Sequence, residues 1–249
     1  MSDFSLGKLH RGPVTSLDLQ AERGYIGSVG EDGTATIWDI NTDQSVLLSK
    51  KCSESCLNAI RWLTSNTFLT ASHSAEMQVW DLRSPNSHPV KIIKENNHEN
   101  AERRVWTVDK HPARPWLLAS AASGPWLHVA PTIMFHDLRA APQPVLINSN
   151  LHSSYIWQVQ FHHTHPDSIL SCSEDGTLLI WNTANSFEST LQLKSTSISN
   201  KPPKKENVKQ LRNDGMPINC FQLDSQHNAV LSASESESVN FNFLDGIID

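Results

Sequence analysis

Hydrophobic and polar positions alternate in short runs along this chain, and the runs recur in a fixed order. In residues 152–182, HSSYIWQVQFHHTHPDSILSCSEDGTLLIWN, positions 155–161 alternate Ile156 and Val159 with polar neighbours and lead into a His/Pro turn. Residues 168–173 make a second run, Glu174-Asp175-Gly176 is a tight-turn signal, and 177–181 are almost wholly apolar. The pattern predicts three antiparallel strands joined by short turns, the third buried on both faces. The same string opens the chain at HRGPVTSLDLQAERGYIGSVGEDGTATIWD, residues 10–39. His10 stands 22 positions before Asp32, and Trp38 six after it; in the central copy His152 stands 23 before Asp175, and Trp181 six after it. Matched offsets around an E-D-G turn mark an internal repeat.

Three further repeats follow from the same template, giving boundaries of about 10–50, 51–94, 98–148, 152–193 and 213–249. Repeat two has strands at 57–63, 67–72 and 77–82 and ends in WDLR, but Ser74 replaces the turn aspartate and no histidine stands upstream. Repeat three has strands at 105–112 and 116–123 and ends in HDLR; GPWLHVAPT (124–132) replaces the D-G turn and reads as a longer hairpin loop, a locally altered gene product or a partner-binding loop. Residues 195–212 carry two adjacent prolines and no apolar period, so a mobile surface loop is expected, not a strand. Repeat five is degenerate, with Phe241 or Phe243 near the tryptophan position. Sheets of this size bury their faces only against neighbours, so residues 1–249 are expected to form one array.

Composition narrows the function classes. The chain has 249 residues, 38% of them hydrophobic, and a formal charge of −6. That suffices for a core and argues against direct nucleic-acid binding. No run of about 18 apolar residues is present, so no membrane insertion is expected, and residues 1–12 have no apolar centre for a signal peptide. The four cysteines, at 52, 56, 172 and 220, fit a reduced intracellular protein better than a disulfide scaffold.

Two constellations carry candidate chemistry. His10, Ser28, Asp32 and Trp38 can form a buried hydrogen-bond chain, and so can His152, Ser171, Asp175 and Trp181. A Ser-His-Asp set also reads as a hydrolase triad; but the set occurs twice and an enzyme needs one site, so a structural polar strut is expected and no catalytic residue is assigned. His162, His163 and His165 lack carboxylate or thiolate partners at metal spacing and read as a surface turn, one repeat after the His111-Pro112 turn. No metal and no cofactor is expected. Arg83 and Arg139 both close an Asp-x-Arg sequence and are candidate partner contacts, or pair with the aspartate two residues before.

These motifs resemble the WD40 β-propellers and, within them, the WD40 nucleoporins of the Y-shaped outer-ring complex of the nuclear pore. The segments carrying the resemblance are VGEDGTATIWDI (29–40), FLTASHSAEMQVWDLR (68–83), VDKHP (108–112), IWQVQFHHTHPDSILSCSEDGTLLIWN (156–182) and STSISN (195–200). The resemblance implies an all-β WD40 β-propeller with about five blades visible, an incomplete seven-bladed ring whose first blades lie before Met1. It implies a non-enzymatic scaffold, other outer-ring nucleoporins as partners, and location at the nuclear envelope and nuclear pore complex, with the kinetochore in mitosis. WD40 proteins with W-D-x-R also resemble substrate receptors that dock on the adaptor of cullin-4 ubiquitin ligases, the alternative partner.

Overall fold

The computed structural model describes residues 10–42, 44–84, 88–94, 103–124, 130–140, 144–149, 151–183, 208–224 and 226–247. Among the described residues all regular structure is β-strand, and there is no helix long and apolar enough to cross a membrane. The chain divides into two compact units, residues 1–93 and 94–249.

The first unit holds two sheets, termed blades one and two. Blade one contains β1 (Val14–Gln20), β2 (Tyr25–Gly30), β3 (Thr34–Asp39) and β4 (Gln44–Lys51), paired in that order. Blade two contains β5 (Leu57–Trp62), β6 (Thr67–Ser72), β7 (Glu76–Asp81) and β8 (Lys91–Lys94), likewise in chain order. Val29, Ala35 and Ile37 of blade one pack on Leu57, Ile60, Trp62, Phe68 and Trp80 of blade two, so the core lies between sheets. Gly27 permits the close approach: a Cβ there would stand 2.7 Å from Ile60 Cδ1.

The second unit holds blades three to five. Blade three contains β9 (Arg104–Lys110), β10 (Leu117–Ser123), β11 (Thr132–Asp137) and β12 (Leu146–Ser149). Blade four contains β13 (Ile156–Phe161), β14 (Ser168–Ser173), β15 (Thr177–Asn182) and β16 (Val208–Asn213). Blade five contains β17 (Ile218–Asp224), β18 (Ala229–Ser234) and β19 (Ser238–Phe243). Ala119, Ala121, Ile133 and Phe135 of blade three meet Val159, Phe161, Ile169 and Trp181 of blade four. Blade four's other face meets Phe221, Leu223 and Val230 of blade five. Full burial of a side chain such as Phe161 or Ile169 contributes about 1.5–3 kcal/mol.

Local chemistry explains the turns and bends. Gly33 and Gly176 in the two E-D-G turns have φ of +71° and +80°, accessible at low cost to glycine. Ala75 and Glu237 take the left-handed conformation near the corresponding turns of blades two and five, with φ of 58° and 57°. All five first strands shift register near their start, leaving Thr15, Asn58, Trp106, Trp157 and Asn219 as bulge residues.

Two expectations need correction. Residues 208–212 are not loop: they belong to β16, which pairs with β15 as the outer strand of blade four. Val208 and Leu211 reach the cores on either side of the blade, so two apolar anchors suffice in an otherwise polar strand. Residues 195–207 of the expected loop and residues 125–129 of the insertion at 124–132 lie outside the described residues. In blade five, neither Phe241 nor Phe243 takes the tryptophan position. Leu223 pairs with Val230 and Val230 with Asn242, the register that in blade four runs Phe161, Ile169, Trp181. Asn242 therefore stands there, and the one-residue offset turns both phenylalanines to the opposite face.

Candidate functional site

The E-D-G turn between β2 and β3, and its counterpart between β14 and β15, each place a carboxylate beside an incoming histidine. His152 Nδ1 lies 3.2 Å from Asp175 Oδ2 and 2.9 Å from Thr177 Oγ1, and its Nε2 lies 2.7 Å from Ser171 Oγ. Asp175 also accepts the Ser153 N–H at 2.8 Å, the Thr177 N–H at 2.9 Å and the Thr177 hydroxyl at 2.6 Å. That donation uses the only hydroxyl proton of Thr177, so its oxygen accepts from Nδ1–H and Nε2 accepts from Ser171. In blade one, His10 Nδ1 lies 3.3 Å from Asp32 and 3.0 Å from Thr34 Oγ1, and Nε2 lies 2.8 Å from Ser28 Oγ.

Electrostatics match this wiring. Burial pushes the Asp175 carboxyl up, but bonds from His152, Thr177 and Ser153 outweigh it and hold the group well below the usual carboxylate range. Asp32 shows the same balance, with burial opposed by Arg11 N–H, Thr34 and His10.

The structure thus brings together His, Ser and Asp in both blades, and adds Thr34 and Thr177, which sequence reasoning missed. It does not bring in the tryptophans. The indole N–H groups of Trp38 and Trp181 are buried without a hydrogen-bond partner, because each serine faces its histidine instead. The other blades support this account. Blade two has no such histidine, and Trp80 Nε1 donates to Thr70 Oγ1 at 3.1 Å. In blade three His136 replaces the tryptophan, and its Nε2 lies 3.1 Å from Ser120 Oγ. The Ser-His-Asp wiring is that of a hydrolase, but Ser171 is 0% exposed, and a substrate carbonyl cannot reach a hydroxyl so buried.

The His111 and His162 turns differ from expectation in one ring each. His163 and His165 are exposed as a surface turn requires, but the His111 and His162 rings are buried because each acts as a cap. His111 Nδ1 accepts the N–H groups of Ala113 and Arg114 at 3.1 and 3.0 Å, and His162 Nδ1 accepts that of His165 at 3.2 Å. Burial lowers both pKa values to about 4, with Arg114 adding to the shift at His111 and the neighbouring His165 and His163 at His162. Among the described residues no group of three or more potential ligands is placed to hold a metal ion.

Arg83 and Arg139 form forks on their own aspartates. Arg83 Nε donates to Asp81 Oδ1 at 3.0 Å and Nη2 to Oδ2 at 2.7 Å, which holds the Asp81 carboxyl down at about 2. Arg139 repeats the fork on Asp137 at 3.0 and 2.7 Å and lies 4.2 Å over the Trp116 ring. Both guanidinium groups stand at the surface.

A further polar set went unread in the sequence. Asp18 of β1 accepts the Trp62 N–H of β5 at 2.7 Å, and Asp109 of β9 accepts the Phe161 N–H of β13 at 2.8 Å. Gln158 of β13 grips Phe221 of β17 twice, accepting its N–H at 3.0 Å and donating to its C=O at 2.9 Å. Ser16 and Thr107 make longer contacts of the same kind to Ile60 and Val159. These staples satisfy the free edge of each following first strand. A signal was available: Asp18 and Asp109 occupy the same repeat position, three residues after the bulge of a first strand.

Comparison with known proteins agrees with this repeat geometry. The model of the WD domain, G-beta repeat, matches residues 5–39 and 145–182. The chain is 27% identical over 156 residues to nucleoporin Nup43 of Mus musculus, covering 63% of this chain and 38% of that protein. It is 25% identical over 165 residues to the nuclear pore complex protein nup43 of Dictyostelium discoideum, covering 66% and 36%. It is also 27% identical over 184 residues to the protein transport protein Sec31A of Danio rerio, covering 72% and 14%. The matches thus span under two-fifths of the length of the nucleoporin relatives. Sheet geometry and repeat match agree: the chain carries WD40 repeats on an all-β framework of antiparallel sheets.

Proposed function

We propose that the chain is a scaffold subunit of the outer ring of the nuclear pore, supporting pore assembly and nucleocytoplasmic transport through protein–protein contacts at the nuclear envelope. The observation that carries this reading is the similarity to nucleoporins over 63% of the chain, spanning intact and altered repeats alike. Stapled blades with buried polar struts suit a rigid platform, and such platforms act through loops and edges. A kinetochore role rests on the family resemblance alone.

The test is affinity capture of the tagged chain from its own cells after mild crosslinking. Recovery of outer-ring nucleoporins is expected; recovery of the cullin-4 adaptor without them overturns the proposal. The exposed Arg83 and Arg139 forks favour the adaptor as the second reading. Joint R83A and R139A substitution leaves nucleoporin capture unchanged under the first reading and abolishes adaptor capture under the second.

A further inference from the structure

In four blades one backbone bond ties the incoming connector to the turn between the second and third strands. Glu31 N–H donates to the Pro13 carbonyl at 3.0 Å, His73 to Cys56 at 3.0 Å, Glu174 to Tyr155 at 2.9 Å and Glu235 to Pro217 at 2.9 Å. Three residues before these carbonyls stand His10, Ser53, His152 and Asp214. One residue after the donors stand Asp32, Ser74, Asp175 and Ser236, and three after them Thr34, Glu76, Thr177 and Ser238. Blades one and four bridge connector and turn with an imidazole. Blade five bridges them with the Asp214 carboxylate, which accepts from Ser234 Oγ at 2.8 Å and from Asn240 Nδ2 at 3.4 Å. Blade two has serines in place of both ring and turn aspartate, and Ser53 Oγ turns to its own connector, 3.0 Å from Ser55 Oγ. A cleft of about 490 Å³ lies at this point, lined by residues 51–55 together with Ser74, Glu76 and Gln78.

The side chains of β7 and its turn offer this cleft acceptors. The Ser72 hydroxyl donates to the Glu76 carbonyl at 3.1 Å, so Ser74 gives its own proton to Ser72 at 2.8 Å and presents only lone pairs. Gln78 Nε2 donates to the Glu76 carboxylate at 3.3 Å, and Gln78 Oε1 is buried with no partner among the described residues. Lys51 is engaged on the connector: its Nζ donates to the Asp32 carbonyl at 3.0 Å and lies 3.8 Å from Glu54. With one lysine against Glu54 and Glu76, the lining is acidic in balance. A group that fits here must donate, carry positive charge and be flat, since the matching space of blades one and four seats an imidazole. We propose that the cleft seats the guanidinium of an arginine side chain carried by a partner protein, which completes the strut of blade two between two molecules. The N–H donors of a guanidinium lie in one rigid plane, so one group can meet the Glu76 carboxylate, Ser74 Oγ and Gln78 Oε1 together, whereas an ammonium offers its donors from a single point. Ser74 is exposed and the Glu54 side chain is 97% exposed, so the arginine enters from the surface and the segment bearing it stays outside. The site does not depend on which complex the chain joins, and so goes beyond the nuclear-pore reading.

The test is retention of short capped peptides on the immobilised full chain, in pools that fix one central residue and randomise the flanks. The arginine pool is expected to be held about tenfold or more above pools with lysine or with citrulline, which keeps the shape of arginine and loses its charge. E76Q is expected to lose that preference. S53H combined with S74D rebuilds the strut within the chain, and is expected to abolish retention while melting cooperatively. Free arginine is expected to compete about tenfold less well than an arginine peptide drawn from the retained pool, because the flanking segment also meets the surface. Equal retention of the lysine or citrulline pool, an unchanged preference in E76Q, or retention by a folded S53H/S74D chain overturns the proposal. Free arginine that competes as well as the peptide also overturns it, by making the ligand a small molecule. Should S53H/S74D fail to fold, E76Q decides alone.

Discussion

Replacing Asp175 with alanine removes one acceptor from four donors: the Ser153 N–H, the Thr177 N–H, the Thr177 hydroxyl and His152 Nδ1. The His152 side chain is 0% exposed and that of Asp175 10%, so water replaces the carboxylate only at the rim. Bonds to a charged acceptor are worth about 1.5–3 kcal/mol each in isolation. The donors share one carboxylate, so their losses overlap, and relief of its desolvation offsets part of the total. The expected cost of D175A is about 2–3 kcal/mol. Ser74 in blade two makes only a 2.8 Å hydroxyl contact with Ser72, which keeps the Glu76 carbonyl as a partner. S74A should therefore cost about 0.5 kcal/mol or less. Urea midpoints measure both, and hydrogen exchange in β14 and β15 localises the first. The carboxyl is held below its unfolded pKa, so its contribution is present above about pH 4 and is lost as pH falls further. The gap between parent and D175A should close there. Equal midpoint shifts for D175A and S74A at neutral pH would refute the strut.

The buried turn histidines make a different pH window. His111 and His162 are lowered to about 4, so the unfolded chain takes up protons below about pH 6.5 while the folded chain resists until about 4. Stability should fall across that window by roughly 1–2 kcal/mol per histidine, solvent screening allowed for. H162N retains an acceptor for the turn N–H and should flatten the dependence; an unchanged slope counts against it. Q158A removes both bonds from blade four to Phe221, and should cost about 1–3 kcal/mol and speed exchange at β17 more than at β15. Uniform change in exchange across both blades would contradict a local staple.

What could be read in the sequence depended on where each interaction runs. The His–Ser–Asp sets close within one repeat, so the offsets from His10 to Asp32 and from His152 to Asp175 exposed them. Strand identity was legible wherever alternation met a turn signal, as in β5 to β7. That Trp38 and Trp181 stand outside these sets was not legible, because spacing alone does not say which of two neighbours a serine hydroxyl faces. β16 was missed because its two anchors, Val208 and Leu211, are set among charged and amide residues. Asn242 was missed because an aromatic one position either side looked like the better match, and only the register separates them. The staples run between repeats, where no fixed offset within a repeat points to them.

Those staples have a consequence for how the array tolerates change. In each, the stapling blade contributes a particular side chain, Asp18, Asp109 or Gln158, while the receiving blade answers with main-chain atoms, to which Trp62 adds its indole N–H on the Asp18 carbonyl. The specification of a junction is therefore one-sided. A receiving strand can exchange one apolar side chain for another of similar volume and still offer the same N–H and C=O groups. Divergence among apolar residues should accumulate on the receiving strands and be restrained at the stapling acids and amide. A blade transplanted from another repeat would dock wherever its upstream neighbour keeps its acid or amide, which makes each repeat an interchangeable module whose fitting is carried by the repeat before it.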